Sequence, residues 1–383
     1  LKLPVPVHPF LIMPSGQSRG GAEEALRQLV WFREKSGFEA LTVCFLEGGD
    51  LVGKISESGV EVHQVFAGRL RHVHRYLWTL VRLRSLIRRS GCDLVFSWMT
   101  KAHIYGAPVG GMLGLPTVYF QHGVPDRGPV DFLCRLLPAS GALACSQYAA
   151  GCQQAVTRVP VLAATVGADL DRFQGRPAQR DPGVRQRLGL PEDRTVVGMV
   201  GRLQRWKGMH VFAEALAEVR RTRPEVTGVI VGGGHDLEPD YEPFLRRRIG
   251  ELGLGEDLRL VGKQDNVPEW MEAFDVFVHA SEREPFGIVV VEAMAMGKPV
   301  IATVPGGPQE ILRDGVEGLL VPWSDGEAMS RAILRFLDEP LFALACGAEA
   351  QKRAQDFSAQ RYAERVGEAV RQLLGSSRDG RNS

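Results

Sequence analysis

Residues 282–300, Glu-Arg-Glu-Pro-Phe-Gly-Ile-Val-Val-Val-Glu-Ala-Met-Ala-Met-Gly-Lys-Pro-Val, place two carboxylates, Glu284 and Glu292, eight positions apart. A helix is expected to start near Phe286 or Gly287, with Glu284 before its first turn and Glu292 inside it. Eight helical steps fall about 80° past two full turns, so even a continued helix leaves both acids on one side, where they grip two parts of one ligand. The helix start adds unpaired N–H groups for hydroxyl or phosphate oxygens beside Glu284. A carboxylate within the apolar run Val289 to Met296 costs several kcal/mol without a partner, so Glu292 calls for a donor, either a ligand or a nearby arginine. A second segment, 197–208, ends a strand in Arg202, Arg205 and Lys207. Arg202 offers a fork of donors and Lys207 a point charge, a pair suited to neutralising a diphosphate, although solvated surface cations before a helix explain that segment alone equally well. Gly20-Gly21-Ala22-Glu23 and Pro305-Gly306-Gly307-Pro308-Gln309-Glu310 are glycine turns entering helices, where backbone can approach an anion. The four segments together imply a cleft that receives a diphosphate and a sugar.

Other suggestive spacings fall short. Residues 48–54 have phosphate-loop spacing, but Ile55 stands where a hydroxyl must hold magnesium, so a strand-to-helix turn is the better reading. Asp169-Leu170-Asp171 could ligate a divalent cation, yet a structural loop is favoured. His72 and His74, two apart in a helical pattern, should point to different faces. No metal site and no metal requirement are expected, and neither half opens with G-x-G-x-x-G, which weakens a dinucleotide oxidoreductase.

These segments need a scaffold. The chain has 383 residues, more than the ~250–300 at which one core stops growing, so two lobes are expected. Hydrophobic residues at 44% and charged residues at 24% exclude disorder, collagen and an integral membrane protein. A net charge of +1 gives no global field to hold nucleic acid. The six cysteines lack C-x-x-C spacing and suit buried thiols, and no charge-free run of 18 residues or cleavage pattern marks a membrane span or signal peptide; a cytoplasmic chain is expected. Apolar runs at 7–13, 41–46, 60–65, 94–97, 117–120 and 143–145 read as strands, separated by helical patterns at 23–35, 73–89 and 146–156. The alternation implies an α/β lobe with a parallel sheet over 1–168. A polar stretch, 169–194, containing Gly175, Pro177 and Pro182, reads as a linker with a possible short helix at 184–188. Strands at 196–200, 226–231, 258–261, 276–278, 300–303 and 318–321 build a second lobe, 195–356. Residues 357–383 form a terminal helix, expected to pack back on the first lobe, and a disordered-looking tail from Gly375. Ligands of such sheets bind at the carboxyl ends of strands, and two facing lobes leave a cleft there.

With these residues in hand, the sequence resembles the retaining glycosyltransferases of family 4, whose GT-B fold has two facing Rossmann-like domains. The resemblance covers about Gly20 to Trp323 and is densest from Val197 to Val321. It rests on the E-x7-E pattern Glu284 to Glu292, on E-A-M-A-x-G-x-P-V at 292–300 and on G-G-x-x-E at 306–310. The resemblance implies that Glu284 and the loop Pro285, Phe286, Gly287 and Ile288 hold donor-sugar hydroxyls. It gives Glu292 the nucleotide ribose, Arg202 and Lys207 the diphosphate, with Gly20 and Gly21 also at the donor. Residues from Val261 to Val267 would meet the nucleobase, mostly through backbone. Gln121-His122-Gly123 resembles the family's histidine loop, which puts His122 by the donor's 6-position and the reaction centre. Val166 replaces the usual Asn of an N-G-V-D turn, and Gly232-Gly233-Gly234 lacks a common acidic residue; both put local loop geometry in doubt.

The implied reaction moves a hexose-type sugar from a UDP- or GDP-linked donor to a hydroxyl acceptor of a glycan or glycolipid, without metal or other cofactor. An epimerase or phosphorylase on the same plan, or a sugar-nucleotide sensor without activity, are the alternatives. Between Val62 and Cys92 there is no acid, while Arg69, Arg71, Arg75, Arg82, Arg84, Arg88 and Arg89 accumulate. Tyr76, Leu80, Leu83 and Ile87 form a core-facing stripe; Arg71, Arg75, Trp78, Arg82 and Arg89 form a basic one that suits an anionic membrane surface or a phosphate-bearing acceptor, or is simply solvated.

Overall fold

A computed structural model describes the chain except residues 1–6, 19, 69, 127, 175–180, 182 and 380–383. Arg69, residues 175–180 and 182 of the expected linker, with Gly175, Pro177 and Pro182, and the last residues of the expected tail thus lie outside the described residues. The chain divides into two compact units, 1–167 with 359–383, and 168–358.

The first unit carries seven parallel strands: β1 (Pro9–Met13), β2 (Thr42–Phe45), β3 (Glu61–Gln64), β4 (Leu94–Trp98), β5 (Thr117–Gln121), β6 (Gly141–Ala144) and β7 (Val161–Ala163). Their order is β3-β2-β1-β4-β5-β6-β7. Most are continuous apolar runs buried on both faces, as a sheet covered by helices on each side requires. The 3-residue β7 is too short for the pattern to reveal. Helix Met99–Leu113 also escapes a periodicity reading, because it is apolar all round and carries Gly106, Pro108 and Gly110. A Cβ on Gly106 would stand 2.2 Å from Ser97 Oγ, and one on Gly110 2.2 Å from Thr117 Oγ1, so the glycines let this helix settle onto the sheet. The expected helix 23–35 is two pieces, Gly21–Trp31 and Arg33–Ser36. Helix Ala359–Asp379 belongs to this unit and packs on both, so the tail expected to be disordered from Gly375 is helical as far as Asp379.

The second unit has six parallel strands, β8 (Thr195–Val200), β9 (Val226–Val231), β10 (Leu258–Leu260), β11 (Val276–His279), β12 (Val300–Val304) and β13 (Leu319–Pro322), in the order β10-β9-β8-β11-β12-β13. Its core joins Val197, Phe212, Leu216, Ile230, Val278 and Ile301. The described residues 183–194 of the stretch read as a linker belong to this unit. Helix Val184–Arg187 buries Arg185, whose guanidinium donates to Asp275 at 2.6 Å and to the carbonyls of Ala273 and Arg194. The residues around Arg185 thus anchor the end of that stretch to the second unit. All six cysteines are free thiols, five of them buried.

Candidate active site

Because every strand of each sheet is parallel, all carboxyl ends fall on one edge. In the second unit the chain runs from β8 outward to β9 and β10, then returns to β11 on the other side of β8. Ligands of open sheets bind in the crevice outside such a reversal. The loops after β8 and β11 meet there. Gly208, at φ +72°, is required because a Cβ would stand 2.0 Å from the Ala280 carbonyl oxygen, and Glu282 N–H donates to the Trp206 carbonyl at 2.7 Å.

This contact assembles a charged trio. Lys207 Nζ donates to Glu284 Oε2 at 2.6 Å, and His279 Nε2 lies 2.9 Å from the same oxygen. Since a carboxylate only accepts, Nε2 carries the proton. Burial alone would raise the Glu284 carboxyl, but the Lys207 charge and the His279 hydrogen bond outweigh it and hold the group well below the usual carboxylate range. Glu284 is only 8% exposed, yet Oε1 accepts no hydrogen bond from the described residues and keeps access to solvent. The loop is held from behind by Gly307 N–H, which donates to the Glu284 carbonyl at 2.8 Å.

Glu284 lies outside the helix, which runs Ile288–Ala295 after Gly287. Phe286 is buried against Phe357 and leaves its backbone to offer, while Pro285 and Ile288 flank it in the loop and first turn. Glu292 sits in the second turn, half-buried rather than fully enclosed as the apolar run suggested. Arg202 follows β8, with Nη1 at 3.2 Å from His235 Nε2. Leu237 N–H lies 3.2 Å from His235 Nδ1, so the imidazole faces a donor on each side, and one of its nitrogens accepts at a time. Arg205 turns away, to Asp240 at 2.6 Å and over the Phe244 ring. Val261 and Val267 stand at the same edge after β10, Val261 accepting from the Gln264 side chain through its carbonyl.

In the first unit the reversal lies between β1 and β4. Gly20 and Gly21 open helix Gly21–Trp31 after β1, and Trp98 ends β4. Trp98 Nε1 donates to the Ala22 carbonyl at 2.9 Å, and its ring lies 4.6 Å from that of His122, which also packs at 4.1 Å on Phe120. Trp98 thus links the glycine turn to the histidine. Burial pushes the His122 imidazole down to about 3, so it is neutral near pH 7, with Nε2 occluded and unpaired among the described residues.

Sequence reasoning missed His279, Trp98 and His235. The signal for His279 was present as a polar residue ending the buried run Val-Phe-Val-His. The decoys resolve as local structure: Lys54 pairs with Asp50 at 2.8 Å inside helix Asp50–Ser56, and Asp171 bonds Gln174. The His72 and His74 rings stack 6.1 Å apart instead of diverging, because the helix begins only at Val73. Among the described residues no group of three or more His, Cys, Asp or Glu could hold a metal ion.

Residues 182–353 match the glycosyl transferases group 1 family and residues 19–160 match glycosyltransferase family 4. The D-inositol 3-phosphate glycosyltransferase 1 of Catenulispora acidiphila is 30% identical over 314 residues, covering 80% of this chain and 73% of that protein. The lipopolysaccharide core biosynthesis mannosyltransferase LpsB of Rhizobium meliloti is 30% identical over 211 residues, 54% of this chain and 60% of its own length. The chain spans only about half of the length of several other curated relatives. Anabaena HepE, solved in complex with UDP and glucose, superposes with a TM-score of 0.84 at 26% identity over 95% of this chain and 99% of its own. With two doubly wound parallel sheets and matches across both units, the chain has the GT-B fold and belongs to the group 1, family 4 glycosyltransferases.

Proposed function

We propose that this protein is a retaining glycosyltransferase that moves a hexose-type sugar from a UDP- or GDP-linked donor to a hydroxyl acceptor in glycan or glycolipid biosynthesis, without a metal. The observation that carries the reading is the Lys207–Glu284–His279 trio at the β8/β11 reversal, with one carboxylate oxygen left open to a ligand. HepE, which shares the fold, has been solved with UDP and with UDP-glucose, which supports a nucleotide-sugar donor.

Cleaving the anomeric C–O bond puts positive charge on the sugar ring and negative charge on the departing diphosphate, so the catalyst must stabilise an anion. Arg202, which follows β8, and Lys207 supply that charge. Glu284 Oε1 takes donor-sugar hydroxyls, Glu292 the ribose, and Gly287 and Ile288 add helix-start N–H groups. The loop from Val261 to Val267 borders the nucleobase. Neutral His122, joined through Trp98 to the glycine turn, serves the reaction centre as an uncharged group. The incoming hydroxyl attacks from the face the leaving group departs, assisted by that phosphate, without a covalent intermediate.

The test is release of nucleoside diphosphate from UDP- and GDP-sugars, with and without candidate acceptors and in EDTA. Acceptor-dependent release that survives EDTA and gives a retained anomeric linkage by NMR is expected. Conversion of the sugar nucleotide alone identifies an epimerase, binding without turnover a sensor, and an inverted linkage overturns the mechanism.

The acceptor side of this reading includes association with the inner face of an anionic membrane. On helix Val73–Ser90, Leu80, Leu83 and Ile87 are buried, whereas Val73, Leu77 and Val81, at helical spacing, are exposed together with Trp78. Arg75, Arg82 and Arg89 border them, Arg71 precedes the helix, and the Arg82 guanidinium lies 5.9 Å from the Trp78 ring centre. Among the described residues no helix is long and apolar enough to cross a membrane, so this face would bind at the surface. Co-sedimentation with phosphatidylserine vesicles at low salt, lost at high salt, is expected; equal recovery with neutral vesicles contradicts it.

A further inference from the structure

We infer that His279 is a positioning residue that fixes the Glu284 carboxylate for the donor sugar, an inference that rests on the donor site proposed above. His279 ends a strand whose four side chains are all buried, and is itself 2% exposed. An imidazole there is costly unless it is bonded. Its Nε2–H points at Glu284 Oε2, and the same nitrogen lies 3.1 Å from Ser281 Oγ, while Nδ1 finds no partner among the described residues. Thr303, on the neighbouring strand β12, donates through Oγ1 to the Ser281 carbonyl at 2.5 Å, so the turn under the carboxylate is tied to two strands. The ring therefore has one polar task, to hold Oε2.

Lys207 holds the same oxygen, but on a flexible four-carbon stem and as a point charge. When a diphosphate draws the ammonium, His279 remains as the rigid donor that keeps Glu284 ionised and aims Oε1 outward. The two groups divide the work: Lys207 responds to the phosphates, and His279 sets the sugar contact. His279 touches no substrate in this arrangement and acts only through Glu284.

The experiment measures dissociation constants for UDP-glucose and UDP, and for GDP-mannose and GDP, by calorimetry, following the pair that the unaltered protein binds. The proteins are the unaltered chain, His279→Leu, His279→Gln, Glu284→Ala and the double variant Glu284→Ala/His279→Leu. Removing a hydrogen bond to a charged group is expected to weaken nucleotide-sugar binding about tenfold or more in His279→Leu, with the nucleoside diphosphate changed less than about twofold. Glutamine, whose amide N–H reaches toward the Nε2 place, recovers most of the loss, and His279→Leu adds nothing once Glu284 is alanine. Equal losses with leucine and glutamine, a parallel loss of nucleoside diphosphate affinity, or the same loss in the Glu284→Ala background overturns the positioning role. An unaltered protein that binds none of the four compounds overturns the donor-site reading, and this inference with it.

Discussion

At the carboxyl edge of the second sheet, Lys207 and Glu284 meet as ions at 2.6 Å with a histidine bonded to the same oxygen. At the corresponding edge of the first sheet, His122 lies neutral against Trp98 and Phe120. Both edges arise from the same parallel topology and the same kind of reversal in strand order, so topology alone does not set their chemistry. The residues at the strand ends do. The second unit invests in preorganised charge, which matters where a diphosphate departs. The first keeps its aromatic rings, Trp98 and Phe120, buried and sets a neutral imidazole against them.

The contrast breaks most visibly at Lys207. Lys207→Met leaves the buried Glu284 carboxylate with His279 alone and is expected to lower stability by about 3–5 kcal/mol near pH 7, read from urea unfolding at constant slope. Glu284 has a folded-state pKa held below its unfolded one, so its contribution is present above the unfolded value and disappears as the pH falls through and below the ordinary carboxylate range. The gap between variant and parent should therefore shrink in acid, and a gap that is constant down to pH 3 contradicts the ion-pair account.

Arg202→Ala sharpens the comparison from the side of catalysis. It removes the donor that the proposed mechanism places on the leaving diphosphate but no buried ion pair, so turnover is expected to fall ~10²–10³-fold while the unfolding midpoint stays close to the parent's. Turnover within threefold of the parent removes Arg202 from the mechanism.

The smallest effect at neutral pH concerns the first unit. His103, fully buried against Tyr119, and His122 are pushed by burial to about 4 and about 3. The unfolded chain takes up these protons once the pH drops below about 6.5, whereas the folded chain resists, so stability declines from there toward pH 4. His103→Leu should lessen that decline by up to about 3 kcal/mol near pH 4 while changing little at pH 8. An unchanged acid slope in urea titrations would place the acid sensitivity elsewhere.

The same contrast marks how far the sequence could be read. Strand runs such as Val226–Val231 were legible because burial on both faces writes itself as a run rich in β-branched residues. Arg202, Lys207 and Glu284 were legible as residues at strand ends. Their partnership was not: Lys207 and Glu284 are 77 positions apart, and only the adjacency of β8 and β11 brings them together. Glu292 looked enclosed because its neighbours are apolar, but it is half-buried, as are Ile288 and Val289 on the same helix. Helix Met99–Leu113 and the anchor at Arg185 were hidden by composition, since glycine and polar residues read as breakers until tertiary packing gives them a place.

The central claim is that the β8/β11 edge holds a nucleotide sugar by its diphosphate and its glycosyl end at once. A crystal structure with an intact, non-hydrolysed UDP- or GDP-sugar tests it most directly. The account predicts pyrophosphate oxygens within hydrogen-bond distance of Arg202 and Lys207 and a sugar hydroxyl on Glu284 Oε1, with His279 still on Oε2. A nucleotide bound at another edge, or a Glu284 carboxylate turned away from the sugar, would contradict it.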